Sequence, residues 1–114
     1  MLISEKQIDA ALEYLRESVD EASKAKSDTV LTEQWIKTTR ARLMVLAGRD
    51  GVTSVAAQTV VAEAHPEFKQ AVEAYGAAVQ LFEFHKMKRE TAIAWIEAWR
   101  TQSSNQRAEG KAYA

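Results

Sequence analysis

The 114-residue sequence contains no cysteine, which excludes a disulfide framework, a thiolate zinc site and a cysteine nucleophile. Proline occurs once and glycine four times, so few positions force a helix to break. Histidine is also scarce. His65 and His85 belong to no HExxH motif, Glu-x-x-His pair or nucleophile triad, and both are expected to be structural or solvent-exposed. Glu83 and His85, two apart, point to different helix faces. The glycine-containing "AGRDG" at residues 47–51 lacks the spacing and the lysine of a phosphate-binding loop. No catalytic, metal or cofactor site is legible, so a binding or assembly protein is expected rather than an enzyme. No apolar run approaches the roughly 18 residues of a membrane span, and the start, "MLISEKQIDAALEYLRESVDE", turns acidic too early for a signal peptide. These features lead to the expectation of a cytoplasmic protein with no membrane partner.

What is present is helix-forming. Ala, Glu, Gln, Lys and Leu dominate between the few breakers, and hydrophobic residues at 46% with charged residues at 27% suit one soluble domain of all-α class. The net charge of −1 hides a block pattern. Residues 1–34 carry four Lys/Arg against eight Asp/Glu, and residues 52–85 carry one against four. Between and after them, residues 35–51 carry four bases against one acid, and residues 86–114 six against three. The first basic block is Lys37, Arg40, Arg42 and Arg49; the second opens with Lys86, Lys88 and Arg89. Such blocks are either solvated helix ends, where cations complement the dipole, or phosphate-binding surfaces.

Ser4 followed by Gln7 forms a capping box, and the next stop is Gly48, so one long helix is expected over about residues 4–48. Its seam reads Ile8, Leu12, Leu15, Val19, Ala22, then Ile36, Leu43 and Ala47, with Lys26, Thr29, Glu33 and Arg40 at the weak central positions. The stretch "SKAKSDT", residues 23–29, could bend or interrupt the helix, with Asp28 or Thr29 capping a second segment. Unbroken, about 44 residues would span on the order of 66 Å, too long to bury a seam inside one small subunit. A short helix over about 53–63, capped by Thr53 or Ser54, is favoured over a strand because the alternation is poor. His65–Pro66 then starts a helix over about 66–104, with proline at its first position. That helix has the seam Phe68, Val72, Tyr75, Val79, Phe82, Lys86, Arg89, Ile93 and Ile96, and a second stripe of Ala71, Ala74, Ala78, Leu81, Ala92, Trp95 and Trp99. Residues 105–114 read as a polar, frayed tail. The two long seams imply a helical homo-oligomer, with Phe82, Ile93, Trp95, Ile96 and Trp99 at the interface. Phe82 and Phe84 cannot both face one core. Trp95 and Trp99 suit interface packing better than base stacking.

Over about residues 30–100, the order of features resembles the UvsY-type recombination mediators of tailed phages. The parts that carry the likeness are Arg40-Ala41-Arg42-Leu43 at a helix end, the Gly48-Arg49 turn, the Tyr75-Gly76 step, and the terminal run from Arg89 through Ala92, Ile93 and Ile96 to Arg100. The resemblance implies a closed ring that binds single-stranded DNA and helps load a RecA-type recombinase against single-strand-binding protein, inside a bacterial host. It assigns the DNA-contacting pair to Arg40 and Arg42, and oligomerisation to the segment near Arg89–Arg100. The present chain differs in its shorter length, its acidic first helix, and its placing of Lys86, Lys88 and Arg89 before the terminal segment.

Arg40 and Arg42 lie about 200° apart around a helix, whereas Arg42 shares a face with Arg49, and Lys37 with Arg40. Arg40 therefore has two available roles: DNA contact, or a seam position paired with an acid such as Glu33. Two other functions fit the same composition. One is a helical adaptor or assembly protein of a phage; the other is a small inhibitor of a host nuclease complex.

Overall fold

The computed structural model describes residues 2–113, as four helices: α1 (Glu5–Glu17), α2 (Val19–Arg49), α3 (Val55–Glu63) and α4 (Pro66–Tyr113). No strand occurs among the described residues, and the class is all-α. The chain divides into two compact units. One combines the chain up to Ala22 with the chain from Phe84 onward; the other is Ser23–Glu83.

In the unit that joins the two chain ends, α1 begins at the expected capping box. The Ser4 hydroxyl accepts from the Gln7 amide at 3.2 Å and the Gln7 side-chain oxygen accepts from the Ser4 amide at 2.9 Å, satisfying two otherwise orphaned donors. The start of the chain is tied to α4 by Gln102, whose amide both accepts from the Ile3 N–H and donates to the Ile3 carbonyl at 2.9 Å. Farther along, Leu15 and Ser18 meet Arg89, whereas Ile3 meets Gln102; α1 and the C-terminal part of α4 are thus antiparallel.

 The joint between α1 and α2 falls at Ser18, so the expected continuous first helix is interrupted there and not within residues 23–29. The Ser18 amide still donates to the Tyr14 carbonyl, and the Ser18 carbonyl still accepts from Ala22, both at 2.9 Å. The Leu15 carbonyl and the Ser18 hydroxyl instead accept from the Arg89 guanidinium, at 2.9 and 2.6 Å. A charged donor from α4 thus satisfies the groups that the interruption exposes. Residues 23–29 stay helical; there the Thr29 hydroxyl donates to the Lys26 carbonyl, the Thr32 hydroxyl donates to the Asp28 carbonyl, and Lys24 lies 3.8 Å from Asp28.

In the Ser23–Glu83 unit, α2 runs through Gly48 and ends in a Schellman arrangement around Gly51. The Val52 amide donates to the Ala47 carbonyl at 3.0 Å and the Gly51 amide to the Gly48 carbonyl at 3.2 Å, with Gly51 at φ 98°. Gly51 rather than Gly48 is therefore the left-handed stop. Gly48 has a different use: a Cβ there would lie 3.1 Å from the Gln58 amide nitrogen, which donates to the Val52 carbonyl at 2.7 Å. Ser54 caps α3 by accepting from Ala57 at 3.1 Å. His65 caps α4, its Nδ1 accepting from the Glu67 amide at 3.1 Å, with Pro66 at the first helical position.

Both long seams are displaced at alternate positions. The expected Ile8, Leu15, Ala22, Ile36, Arg40 and Leu43 are buried or half-buried, but the chain also buries Ala11, Ser18 and Ala25 in place of Leu12, Val19 and Lys26, and Thr39 beside Arg40. On α4, Ala71 and Ala92 are buried where Val72 and Ile93 were expected, and Lys86 is exposed. The physical reason is that small side chains let helices approach closely, while the displaced row would have brought Lys26, Glu33 and Lys86 out of water. Six of the eight buried apolar residues are alanines, and no large side chain among the described residues is fully buried. The expected tail is also corrected: α4 continues to Tyr113, as befits the helix-forming run "NQRAEGKA" apart from its glycine.

Candidate nucleic-acid interface

The first basic block sits on the last turns of α2, where the helical repeat separates its members. Arg40 lies toward the buried side. Its Cζ is 5.3 Å from the centre of the Phe68 ring, and its Nε is 3.2 Å from a Glu63 carboxylate oxygen. That nitrogen is nonetheless without a hydrogen bond: the distance makes an ion pair, but the N–H is not aimed at the oxygen. Arg40 is thus held at the end of α3 and the start of α4, which realises the seam role with Glu63 in place of the expected Glu33.

Arg42 points elsewhere and pairs with Glu67 in the first turn of α4. Both side chains are 49% exposed, so water screens this pair and it contributes about 0–1 kcal/mol. Lys37 lies 4.0 Å from Glu33, one helical turn away and also exposed. Arg49 is exposed in the last turn of α2 and has no carboxylate partner among the described residues. The four residues do not form one cluster: Arg42 and Arg49 share a face, while Arg40 is turned inward.

The second block divides in the same manner. Arg89 is committed to the α1–α2 joint through Leu15 and Ser18. Lys88 sits over the Tyr14 ring at 4.6 Å and near the Phe84 ring at 5.7 Å, a cation–π arrangement within one unit. Lys86 is exposed. Of the expected interface residues, Ile93 and Trp95 are exposed at 45% and 39%, whereas Phe82, Ile96 and Trp99 are half-buried. Phe84, not Phe82, is the exposed phenylalanine. His65 is half-buried at the α4 cap, and His85 is half-buried with its ring 5.5 Å from that of Phe84.

Among the described residues, no three His, Asp or Glu side chains gather into a metal-binding group, and no helix is long and apolar enough to cross a membrane. Comparison with protein-family models, curated proteins and solved structures yields no match.

Two features escaped the sequence reading. Glu63 and Glu67 are the carboxylates that meet Arg40 and Arg42; their position on either side of His65–Pro66 was the available signal, because a tight connection brings flanking residues together. Large apolar side chains also remain outside: Val30, Leu31, Trp35, Val45 and Leu46 on α2 are all at least 41% exposed. Trp35, Arg42 and Arg49 recur at seven-residue spacing, a pattern visible in the sequence.

Proposed function

We propose that this protein is a non-enzymatic, self-assembling helical subunit that binds single-stranded DNA, acting as a recombination mediator of the UvsY type. The observation that carries the self-assembly is the inversion of ordinary burial: the core is largely alanine, while Leu12, Val19, Val72, Ile93 and Trp95 stay exposed. Such apolar faces are covered when helices of several chains pack together. In the proposed assembly, a closed ring repeats the basic end of α2 around its circumference, and weak phosphate contacts add through effective concentration. Arg42 and Arg49 are the contacts; Lys37, on the far side of the helix, stands apart from them, and Arg40 supports them from inside. Partner proteins in this reading are a RecA-type recombinase and single-strand-binding protein, in the cytoplasm of a bacterial host.

The pairing of Arg40 and Arg42 with Glu63 and Glu67 favours a second reading, a phage adaptor or assembly protein, or an inhibitor of a host nuclease complex, whose basic residues are structural. Native mass spectrometry with and without oligo-dT separates the two. A homo-oligomer that takes up oligo-dT supports the mediator; a homo-oligomer that ignores DNA supports the adaptor, and a monomer refutes both assembly readings.

A further inference from the structure

Resting on the DNA-binding reading, we propose that Trp35 is a base-stacking residue, and that Trp35, Arg42 and Arg49 form one contact line for single-stranded DNA along α2. Residues seven apart fall within about 20° of each other around an α-helix. The three therefore share a face, separated by about 10 Å per step along the axis. Trp35 is 46% exposed, so a large indole surface meets water on a helix that has smaller residues available for that role. Thr38 stands between Trp35 and Arg42, and Val45 and Leu46 between Arg42 and Arg49. From Leu31 to Arg49, this side of α2 carries no acidic residue of its own.

The carboxylate that meets an arginine of this line is Glu67, paired with Arg42. That pair is half-exposed on both sides and weak, so a phosphate can take over the guanidinium without uncovering a buried charge. Arg49 needs no such exchange. An apolar protein partner would use the leucine and valines but would leave two arginines beside an uncharged surface. A single strand uses both components, since its phosphates meet the arginines while a base lies on the indole. Stacking tolerates any base because every base has a flat π face. This arrangement also removes the difficulty that Arg40 and Arg42 cannot lie along one strand: the line passes through Arg42 and leaves Arg40 inside.

The test compares oligo-dT with an abasic strand of equal length, using wild type, Trp35→Ala and Trp35→Phe. Trp35→Ala is expected to bind oligo-dT about 5- to 100-fold more weakly, to bind the abasic strand like wild type, and to keep its oligomeric mass. Trp35→Phe is expected to recover most of the loss. In the unmodified protein, photocrosslinking to a strand containing 5-bromouracil is expected to mark Trp35, a readout independent of how the variants fold. Wild-type oligo-dT binding with crosslinks elsewhere overturns the stacking role while sparing the DNA-binding reading, as does an equal loss for both strands. A change of oligomeric mass in Trp35→Ala also overturns it, making this face a contact between subunits. Absence of any DNA binding by wild type overturns the inference together with the reading on which it rests.

Discussion

Arg89 shows how a basic residue becomes structural when an interrupted helix leaves a carbonyl for it to meet. Its guanidinium donates to both the Leu15 carbonyl and the Ser18 hydroxyl, and Ser18 is buried. Hydrogen bonds from a charged donor contribute about 1.5–3 kcal/mol each, and a buried acceptor left without a donor adds its own desolvation cost. Arg89→Ala should therefore lower stability by roughly 2–3 kcal/mol, measured as a fall in the urea midpoint at fixed protein concentration; an unchanged midpoint refutes the role. Gly51 is the complementary case, where backbone alone decides. Nothing lies within 4 Å of a Cβ at Gly51, but its φ is 98°. Gly51→Ala should cost about 1–2 kcal/mol through backbone strain, and thermal unfolding of this variant against Gly76→Ala supplies the control. Gly76 is helical and equally uncrowded, so its replacement should stabilise by up to about 1 kcal/mol.

Each long helix has two adjacent rows that compete for burial, and side-chain size and charge decide between them. The alanine row of α4 includes Ala71 and Ala92, both buried; the neighbouring row includes Val72 and Ile93, both more than 40% exposed. Mutations on the two rows should consequently separate folding from assembly. Ala92→Leu inserts volume into a close contact and should destabilise the subunit by about 1–3 kcal/mol. Ile93→Asp places a charge on an exposed position and should leave the helical signal in circular dichroism intact while dissociating the oligomer in sedimentation velocity. Ile96→Asp is a poorer probe, because Ile96 is already half-buried in the subunit. If Ile93→Asp remains as large as wild type, that row is not the assembly surface.

For the whole molecule, the proposed function requires charge and apolar surface to act together. An oligomer that gathers basic α2 ends from several subunits should bind oligo-dT with a logarithmic salt slope of about −0.7 for each phosphate neutralised. Arg42→Ala with Arg49→Ala should flatten this slope and weaken binding without changing the oligomeric mass, because neither residue closes a core. Arg40→Ala should act mainly on stability, since it loses the contacts with Glu63 and Phe68. Fluorescence anisotropy across a salt series reads the slope. Equal slopes for wild type and the double variant would make the basic end of α2 a solvated helix terminus.

Local chemistry was legible in the sequence wherever residues a few positions apart settle the outcome. Ser4 with Gln7, Ser54 and His65–Pro66 start helices through their own side chains and backbones, and the shortage of breakers makes the chain all-α. The stop falls at Gly51 rather than Gly48, through bonds from Gly51 and Val52 back to Gly48 and Ala47, and the interruption at Ser18 involves a neighbour distant in sequence, since Arg89 occupies the acceptors at the joint. The choice between adjacent seam rows likewise required packing. A heptad pattern counts hydrophobic residues but not how closely two backbones approach, and close approach favours Ala11, Ala25, Ala71 and Ala92 over larger neighbours. Charge blocks were visible as composition, yet only tertiary structure decided that Arg40 turns toward Glu63 and Phe68 while Arg42 and Arg49 stay at the surface, because the direction of a side chain is set by the helix it packs against.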